Sequence, residues 1–332
     1  MIKVVQDIDP VQWNQLVDKA GNASFFQTPA CLEFYQQLGF LEGFALGVED
    51  GGQLKAVVCG YIIADGGFLK RIMSKRAIVP GGILCAEDVS MEQLDAILRE
   101  LKKQLAKRFA IYIEFRNYHD YSTQRGAFEN NGFEYKAHLN FHIALTDVEN
   151  ALMNLNTTKR RDVRSSLKQG ATWGLSTDEQ EMKEYFVILK DLYKTRIKTP
   201  LFPEEFFLKL IQSSGGRFLV VKFDGKVIGG SVCVELPGRI LYEWFVCGKD
   251  YEYKNLYPST VATWAAIEYA AGHGLHRFDM MGAGKPEEGY GVREFKSKFG
   301  GELVEHGRFL CILNPVLYFI GKKAVQYLKK NK

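Results

Sequence analysis

A chain of 332 residues, 46% apolar and 25% charged, can bury the core of one large or two ordinary domains, which excludes a disordered or low-complexity protein. Its net charge of +4, from 43 basic and 39 acidic residues, does not by itself mark a nucleic-acid binder, because only clustered bases create a field.

In chain order, Ile2 to Val5 reads as a short strand followed by two short helices up to residue 40. Phe44 to Gly52 is a strand running into a hairpin turn at Gly51-Gly52, and Leu54 to Ile63 is the returning strand. Ala77 to Leu84 adds a strand around Pro80-Gly81-Gly82. Residues 90–108 place Leu94, Ile97, Leu98, Leu101 and Leu105 on one helical face. A buried strand, Ile111 to Phe115, a short helix holding Phe128 to Phe133, and a strand pair ending at Phe141 to Leu145 follow. The second half repeats this order. Residues 158–169, 178–197 and 204–212 read as helices, and Phe218 to Leu236 as a hairpin turning at Asp224-Gly225. Arg239 to Val246 reads as a strand, Thr260 to Ala271 as an apolar helix and Phe278 to Met281 as a buried strand. A last strand ends at Phe309 to Leu313.

The segment from Phe128 to Glu134 aligns with that from Phe295 to Gly301, which pairs Glu129 with Lys296. A repeat of about 165 residues is far longer than a solenoid unit and points to a duplicated domain. The boundary falls near 146–155, giving domains 1–150 and 151–332. The expected class is α/β (α+β), each domain a mixed, largely antiparallel sheet flanked by helices. The element order is similar to that of the GNAT acyltransferase fold, so the two domains resemble tandem GNAT copies. Fold alone does not fix function.

Three segments point to chemistry. Thr157 to Gly170 reads as a helix with Arg160, Arg164 and Lys168 on one face, Thr157 or Thr158 as N-cap and Gly170 just past its end. Lys159, Arg160 and Arg161 then fall in the first turn, where the helix dipole disfavours cations by ~0.3–1 kcal/mol each. An anionic ligand explains that placement; a solvated basic face is the plainer alternative. The second segment, Asp279-Met-Met-Gly-Ala-Gly-Lys285, is a strand end opening into a glycine-rich loop with Gly282 and Gly284. It leads to Phe295-Lys296-Ser-Lys298-Phe299. Ligands of open α/β sheets bind at strand carboxyl ends. Lys296 and Lys298 are candidates for holding phosphate or a developing oxyanion, and Asp279 for orienting an ammonium or acting as base. The third segment, Gly248 to Ser259, carries no glycine after Gly248 but holds Tyr251, Tyr253 and Tyr257, which suit stacking on a base or sugar as well as an ordinary surface loop. The residues after Asn314 carry five Lys and no acid, with an apolar stripe at Leu317, Ile320, Ala324 and Leu328. A basic helix over 315–331 suits either a packed tail or an anionic membrane surface.

The basic helix at Arg160 to Gly170, the Asp279 to Gly282 strand end and Glu294-Phe-Lys-Ser-Lys-Phe-Gly300 together resemble the FemABX peptidoglycan-bridge aminoacyltransferases, across nearly the whole chain. The resemblance implies transfer of an amino acid from aminoacyl-tRNA to an amine on a UDP- or lipid-linked cell-wall precursor. It carries over to Phe295 and Lys296, with a catalytic role for Lys296, and to Arg160, Arg161, Arg164 and Lys168 for substrate binding; the family supplies no side-chain base, and the residues themselves add Asp279 as the catalytic candidate and Lys298, Tyr257, Gly282 and Gly284 as substrate-binding ones. The chain departs from the family at Gln27 to Phe34, where no Lys follows the Gln. An acetyl-CoA-dependent GNAT enzyme needs a glycine-rich diphosphate loop at a helix N-terminus. Gly248 to Ser259 stands in that place without those glycines, so no tightly bound cofactor is expected. An acyl-CoA N-acyltransferase acting on a sugar nucleotide or amino acid, and a non-catalytic tandem-domain binding protein, are the alternatives.

Six cysteines in apolar runs with no C-x-x-C pair read as buried thiols of a reducing compartment. The close histidine pairs, His138/His142 and His273/His276, lack partners at zinc spacing, so no metal is expected. The N-terminus lacks the apolar core of a signal peptide, and the apolar stretch 309–320 falls short of the ~20 residues of a membrane span. A cytoplasmic protein is expected, at the inner face of the membrane where the basic C-terminal helix meets lipid.

Overall fold

The computed structural model describes residues 1–66 and 74–330. The elements are β1 (Lys3–Val5), α1 (Pro10–Lys19), α2 (Pro29–Gln36), β2 (Leu41–Asp50), β3 (Gln53–Ile63), β4 (Arg76–Pro80), β5 (Ile83–Cys85), α3 (Met91–Lys107), β6 (Tyr112–Arg116), α4 (Arg125–Asn130) and β7 (Glu134–Lys136). There follow β8 (Leu139–Ala144), α5 (Val148–Asn154), α6 (Thr157–Lys168), β9 (Thr172–Leu175), α7 (Glu179–Leu192), α8 (Glu204–Gln212), β10 (Gly216–Phe223), β11 (Lys226–Leu236) and β12 (Ile240–Gly248). The chain ends with α9 (Pro258–Gly272), β13 (Arg277–Asp279), α10 (Gly291–Lys296), β14 (Glu302–Glu305), β15 (Arg308–Ile312) and α11 (Pro315–Lys330).

Local chemistry accounts for many of these bounds. Both long hairpins turn at two residues with positive φ, Gly51 (58°) and Gly52 (79°) in one, Asp224 (48°) and Gly225 (72°) in the other. That is the geometry of a type I′ turn, whose twist matches the flanking strands. Helix α3 starts at a reciprocal capping box between Ser90 and Gln93 and buries the expected stripe of Leu94, Ile97, Leu98, Leu101 and Leu105. Helix α9 is apolar on all sides and buried through most of its length, as a central helix must be.

The repeat is visible in the sheets, whose strand orders match position for position. One runs β1-β2-β3-β4-β6-β15-β7, with β5 on β3; the other runs β9-β10-β11-β12-β13-β8-β14. Each holds a parallel pair at the matching place, β4 with β6 and β12 with β13. The sixth place in each sheet is filled by a strand from the other half of the chain. The compact units are accordingly Met1–His138 with Glu305–Lys332, and Leu139–Val304. The sequence boundary at 150 therefore differs from the division by contacts, and β7 and β8 are not the hairpin expected from their adjacency. The physical reason is side-chain burial. Phe309 of β15 stacks on Phe128 at 3.9 Å in the first core. Phe141 and Ile143 of β8 join Trp264 and Phe278 in the second. Each such side chain contributes about 1.5–3 kcal/mol when buried. The C-terminal helix thus belongs with the first unit rather than the second. Residues 331–332, and the side chains at Ala324 and Leu328 of the expected stripe, lie outside the described residues. Among the described residues no helix is long and apolar enough to cross a membrane, and all six cysteines are buried and unpaired.

Candidate active site

The second unit opens where its parallel pair ends. Strand β12 pairs with β13 over Ile240↔Arg277, Leu241↔Phe278 and Tyr242↔Asp279 and no further, while β12 itself continues to Gly248 along β11. A bulge falls at this point: Val232 pairs with Phe245 and Cys233 with Glu243, so Trp244 is extra. Bulges bend a strand and re-aim its side chains. On the other side of the opening the chain turns through Met281 (φ 48°) and Gly282 (φ 62°). The result is a cavity of about 730 Å³ with Glu243, Met281, Gly282 and Lys296 in its lining, walled by Tyr193, Trp244, Phe245, Tyr290 and Phe295.

Lys296 is 6% exposed, and its ammonium donates to the carbonyl oxygens of Met280, Met281 and Gly282. An ammonium has three protons, so these bonds use them all. Burial pushes Lys296 down to about 8, against the pull of Glu243 and Asp279. Glu243 is 3% exposed. Its Oε1 accepts from Ser231 Oγ at 3.3 Å, and its Oε2 has no hydrogen-bond partner among the described residues. Burial pushes its carboxyl up to about 7, opposed chiefly by the charge of Lys296. Asp279 is fully buried and committed to the scaffold. Its Oδ1 accepts from Asn140 Nδ2 and from the Met281 amide, each at 2.8 Å, and Oδ2 lies 3.0 Å from His142 Nε2. Burial raises its pKa, but the bonds from His142 and Asn140 outweigh that and leave it below the usual carboxylate range. Asp279 ties β13 to β8 and is not in the cavity lining.

Residues 157–297 match the family model described as an acetyltransferase (GNAT) domain. The whole chain superposes on the crystal structure of FemX with a TM-score of 0.73 at 15% identity, covering 96% of this chain and 99% of that one. The chain has a tandem GNAT fold. It is also similar to a tandem GNAT protein from the clavulanic acid biosynthesis pathway, with TM-score 0.62, 11% identity and coverage of 95% and 99%. A third likeness is to the C-terminal domain of a putative lysylphosphatidylglycerol synthetase from Agrobacterium fabrum, with TM-score 0.56, 13% identity and coverage of 96% and 95%. No curated protein sequence matches significantly.

In a GNAT domain the helix after the fourth strand receives the coenzyme A diphosphate. Here that helix is α9, and its N-terminus is already satisfied. Pro258 has no N–H. Ser259 donates from N to Asp250 Oδ1 (3.1 Å) and from Oγ to Oδ2 (2.5 Å). Thr260 and Val261 donate to the Tyr257 carbonyl at 2.8 and 3.0 Å. Tyr257, with φ 40°, serves there through its backbone, and its ring is not in the cavity lining.

The basic helix faces mostly outward. Its N-cap is Asn156, one residue before the expected threonines, and Gly170 follows its C-cap with φ 100°. The Arg160 guanidinium donates to the Met153 carbonyl at 3.0 Å, Arg161 pairs with Asp162 at 3.0 Å, and Arg164 and Lys168 are exposed. Lys159 alone of these cations packs against the second core, outside the cavity lining. Its ammonium lies 4.4 Å over the Phe295 ring and donates to Thr260 Oγ1 at 2.6 Å. Burial lowers its pKa. Phe295 and Gly282 line the cavity, whereas Lys298 is exposed and contributes its carbonyl to the Asn156 amide at 3.0 Å. Gly284 lies outside the lining but matters to it: a Cβ there would meet the Tyr290 ring at 3.0 Å, so the small residue lets Tyr290 pack close. Sequence reasoning missed Glu243 and Asp250. The signal for Glu243 was a lone carboxylate inside the apolar run Ile240 to Cys247.

Proposed function

We propose that this acyltransferase-fold protein moves an aminoacyl group from aminoacyl-tRNA to an amine of a cell-wall precursor peptide, with no tightly bound cofactor. The observation that carries the reading is the Asp250 carboxylate at the N-terminus of α9. A coenzyme A diphosphate at that end would meet a fixed negative charge instead of free N–H groups. A donor whose phosphates lie elsewhere suits the site better. The exposed cations of α6, with Lys298, offer it a track for a phosphate backbone. The full-length likeness to FemX supports the reading through the fold. The acceptor is a UDP- or lipid-linked muropeptide.

The amine attacks the acyl carbon of the donor ester directly, since no histidine or cysteine lines the cavity to form a covalent intermediate. Lys296 fixes the strand-end carbonyls and places a buried positive charge beside the reacting carbonyl. The protein works at the inner face of the membrane. Helix α11 exposes Val316, Phe319 and Ile320 beside Lys322 and Lys323, and Phe109 of the same unit is 80% exposed. That mixture suits an anionic lipid surface.

The match over 157–297 favours a second reading, acyl-CoA-dependent transfer to a sugar nucleotide or amino acid. A thermal-stabilisation panel of acetyl-CoA, a UDP-linked muropeptide and aminoacyl-tRNA separates the two. Stabilisation by the last two is expected, and stabilisation by acetyl-CoA alone rejects the tRNA-dependent reading. Binding with no turnover by the unmodified protein leaves a non-catalytic tandem-domain binder.

A further inference from the structure

We infer that the first unit carries a lipid site: a cavity beside Phe109 takes one acyl chain of an anionic phospholipid, and the Phe109 ring enters the bilayer next to it. The inference deepens the placement of the protein at the inner membrane face and rests on that placement, not on the transfer reaction.

Phe109 stands where the fold asks for glycine. Helix α3 ends with the Phe109 amide donating to the Ala106 carbonyl and the Ala110 amide to that of Leu105, and Phe109 itself has φ 60°. Helices α4, α6 and α9 end in the same pair of bonds, and there the residue with positive φ is Gly132, Gly170 or Gly274. Gly274 is the duplicated counterpart of Phe109: α9 leads into β13 as α3 leads into β6, each the second strand of a parallel pair. A left-handed backbone is strained for any residue with a Cβ and most of all for a bulky one. Phe109 is also 80% exposed, so its ring gains little from the core. Strain and exposure coincide at one position and are absent from its counterpart, which points to a partner that covers the ring.

The surroundings say what that partner is. A cavity of about 840 Å³ opens beside Phe109, with Phe40, Leu41, Ile62, Leu313 and Leu317 in its lining. That volume is within the ~300–1,000 Å³ of small-molecule pockets. Helix α11 gives Leu317 to this lining and sets Tyr318 edge-on against Tyr112 of β6 at 5.5 Å. Its Val316, Phe319 and Ile320, spaced to share another face, are exposed. Charge favours an anionic lipid. The acids near the mouth are already matched: Glu42 of the lining lies 3.4 Å from Lys75 and 3.5 Å from Arg108, and Asp65 pairs with Arg76 at 2.7 Å. Lys107, Lys322 and Lys323 are exposed, and the residues after Asn314 carry five Lys and no acid. A soluble apolar ligand would use the cavity but neither the exposed ring nor the cations. A bilayer uses all three, with a chain in the cavity, Phe109 and the α11 face at the headgroup boundary, and anionic headgroups at the lysines.

The test uses the full-length protein and needs no acyl donor. Sedimentation is measured with vesicles of equal parts phosphatidylglycerol and phosphatidylcholine, and with vesicles of phosphatidylcholine alone. Phe109→Gly relieves the backbone strain, so it should melt no lower than the unmodified protein. It should nevertheless bind the anionic vesicles about 10–100-fold more weakly, the loss expected from one aromatic ring no longer buried. Dihexanoyl phosphatidylglycerol, kept below its micelle concentration, should raise the melting temperature of the unmodified protein. It should not raise that of Ala106→Trp, which fills the cavity from α3 and leaves Phe109 and α11 in place. Glycerol phosphate, the headgroup without its chains, should stabilise neither. Equal vesicle binding with and without Phe109, equal binding to phosphatidylcholine alone, stabilisation by glycerol phosphate as large as by the lipid, or an Ala106→Trp protein stabilised as much as the unmodified one overturns the assignment. Binding to anionic vesicles with no stabilisation by the monomeric lipid removes the cavity site and leaves the membrane placement standing. No binding to either vesicle overturns both.

Discussion

The two units carry the same parallel strand pair and treat its end in opposite ways. In the first unit β4 and β6 pair through Pro80↔Arg116, and the chain then turns at Gly81 and Gly82, both near φ 85°. The turn is packed solid. The Tyr121 hydroxyl lies 2.8 Å from the carbonyl oxygens of Gly81 and Ile83, and Gln27 Nε2 donates to Gly81 at 3.0 Å. A Cβ on Gly82 would meet the Tyr121 ring at 2.4 Å. In the second unit the turn carbonyls belong to the end of β13, their donor is an ammonium, and a buried carboxylate faces the space left open. Neutral donors close a strand end and stabilise it. A charged pair keeps a cavity at the expense of desolvation.

The largest expected effect comes from breaking the charged end. Lys296→Ala leaves three carbonyls without their donor and Glu243 without its counter-charge. Removing one partner of such a buried pair costs about 3–5 kcal/mol, so the urea midpoint should fall sharply and transfer should be lost. Transfer at an unchanged rate would remove Lys296 from the site altogether. The matching change in the first unit is Tyr121→Phe. It removes one buried hydroxyl from the two carbonyls and should cost about 1–3 kcal/mol, with no change in transfer rate. A loss of transfer equal to that of Lys296→Ala would mean that the closed end is functional too.

Acid should also separate the two units. Glu243 binds protons more tightly folded than unfolded, so between about 4.5 and about 7 its contribution to stability falls as pH rises. Lys296, lowered to about 8, has the opposite slope from there up to its ordinary 10.5. The pair therefore destabilises most around pH 7–8. Glu114 of the first unit is different: burial pushes it up, but Arg116 and Arg308 outweigh that and leave it depressed. Its contribution is present above the unfolded carboxylate range and is lost as pH falls through its lower folded value. Urea midpoints of Glu243→Gln against pH should lose the slope between 4.5 and 7. A slope as steep as in the unmodified protein would place that titration elsewhere.

Much of this contrast was legible in the sequence. Periodicity located α3, paired turn residues located both long hairpins, and the aligned segments after Phe128 and Phe295 revealed the duplication. The strand exchange was not legible, because β8 and β15 are both short and apolar and nothing local selects a sheet for either. Lys296 stood out by its place after a strand end, but its three acceptors are backbone carbonyls from residues 280–282, which no side-chain motif announces. Glu243 was not singled out because Arg239 to Val246 reads only as a strand, with nothing local to say which way each side chain faces. The bulge at Trp244 sets it facing a cavity, and that register appears only when β11 and β12 are paired. Of the α6 cations, read as an anion site or a solvated basic face, Lys159 turns inward, drawn by the Phe295 ring and Thr260.

The smallest expected effect tests the pairing of Glu129 with Lys296. Glu129 is 53% exposed and meets Arg125 at 2.8 Å across one helical turn, a pair worth little in water. Its place in the first unit holds the stacked Phe128 but offers no set of converging carbonyls. Glu129→Lys therefore sets a lysine at the aligned position without the surroundings that bury it. Stability should change by no more than about 1 kcal/mol, mostly from repulsion by Arg125, and transfer should be unaffected. A shift of several kcal/mol would show that the duplicated position still feels a buried environment, and that the two strand ends differ less than their hydrogen bonds indicate.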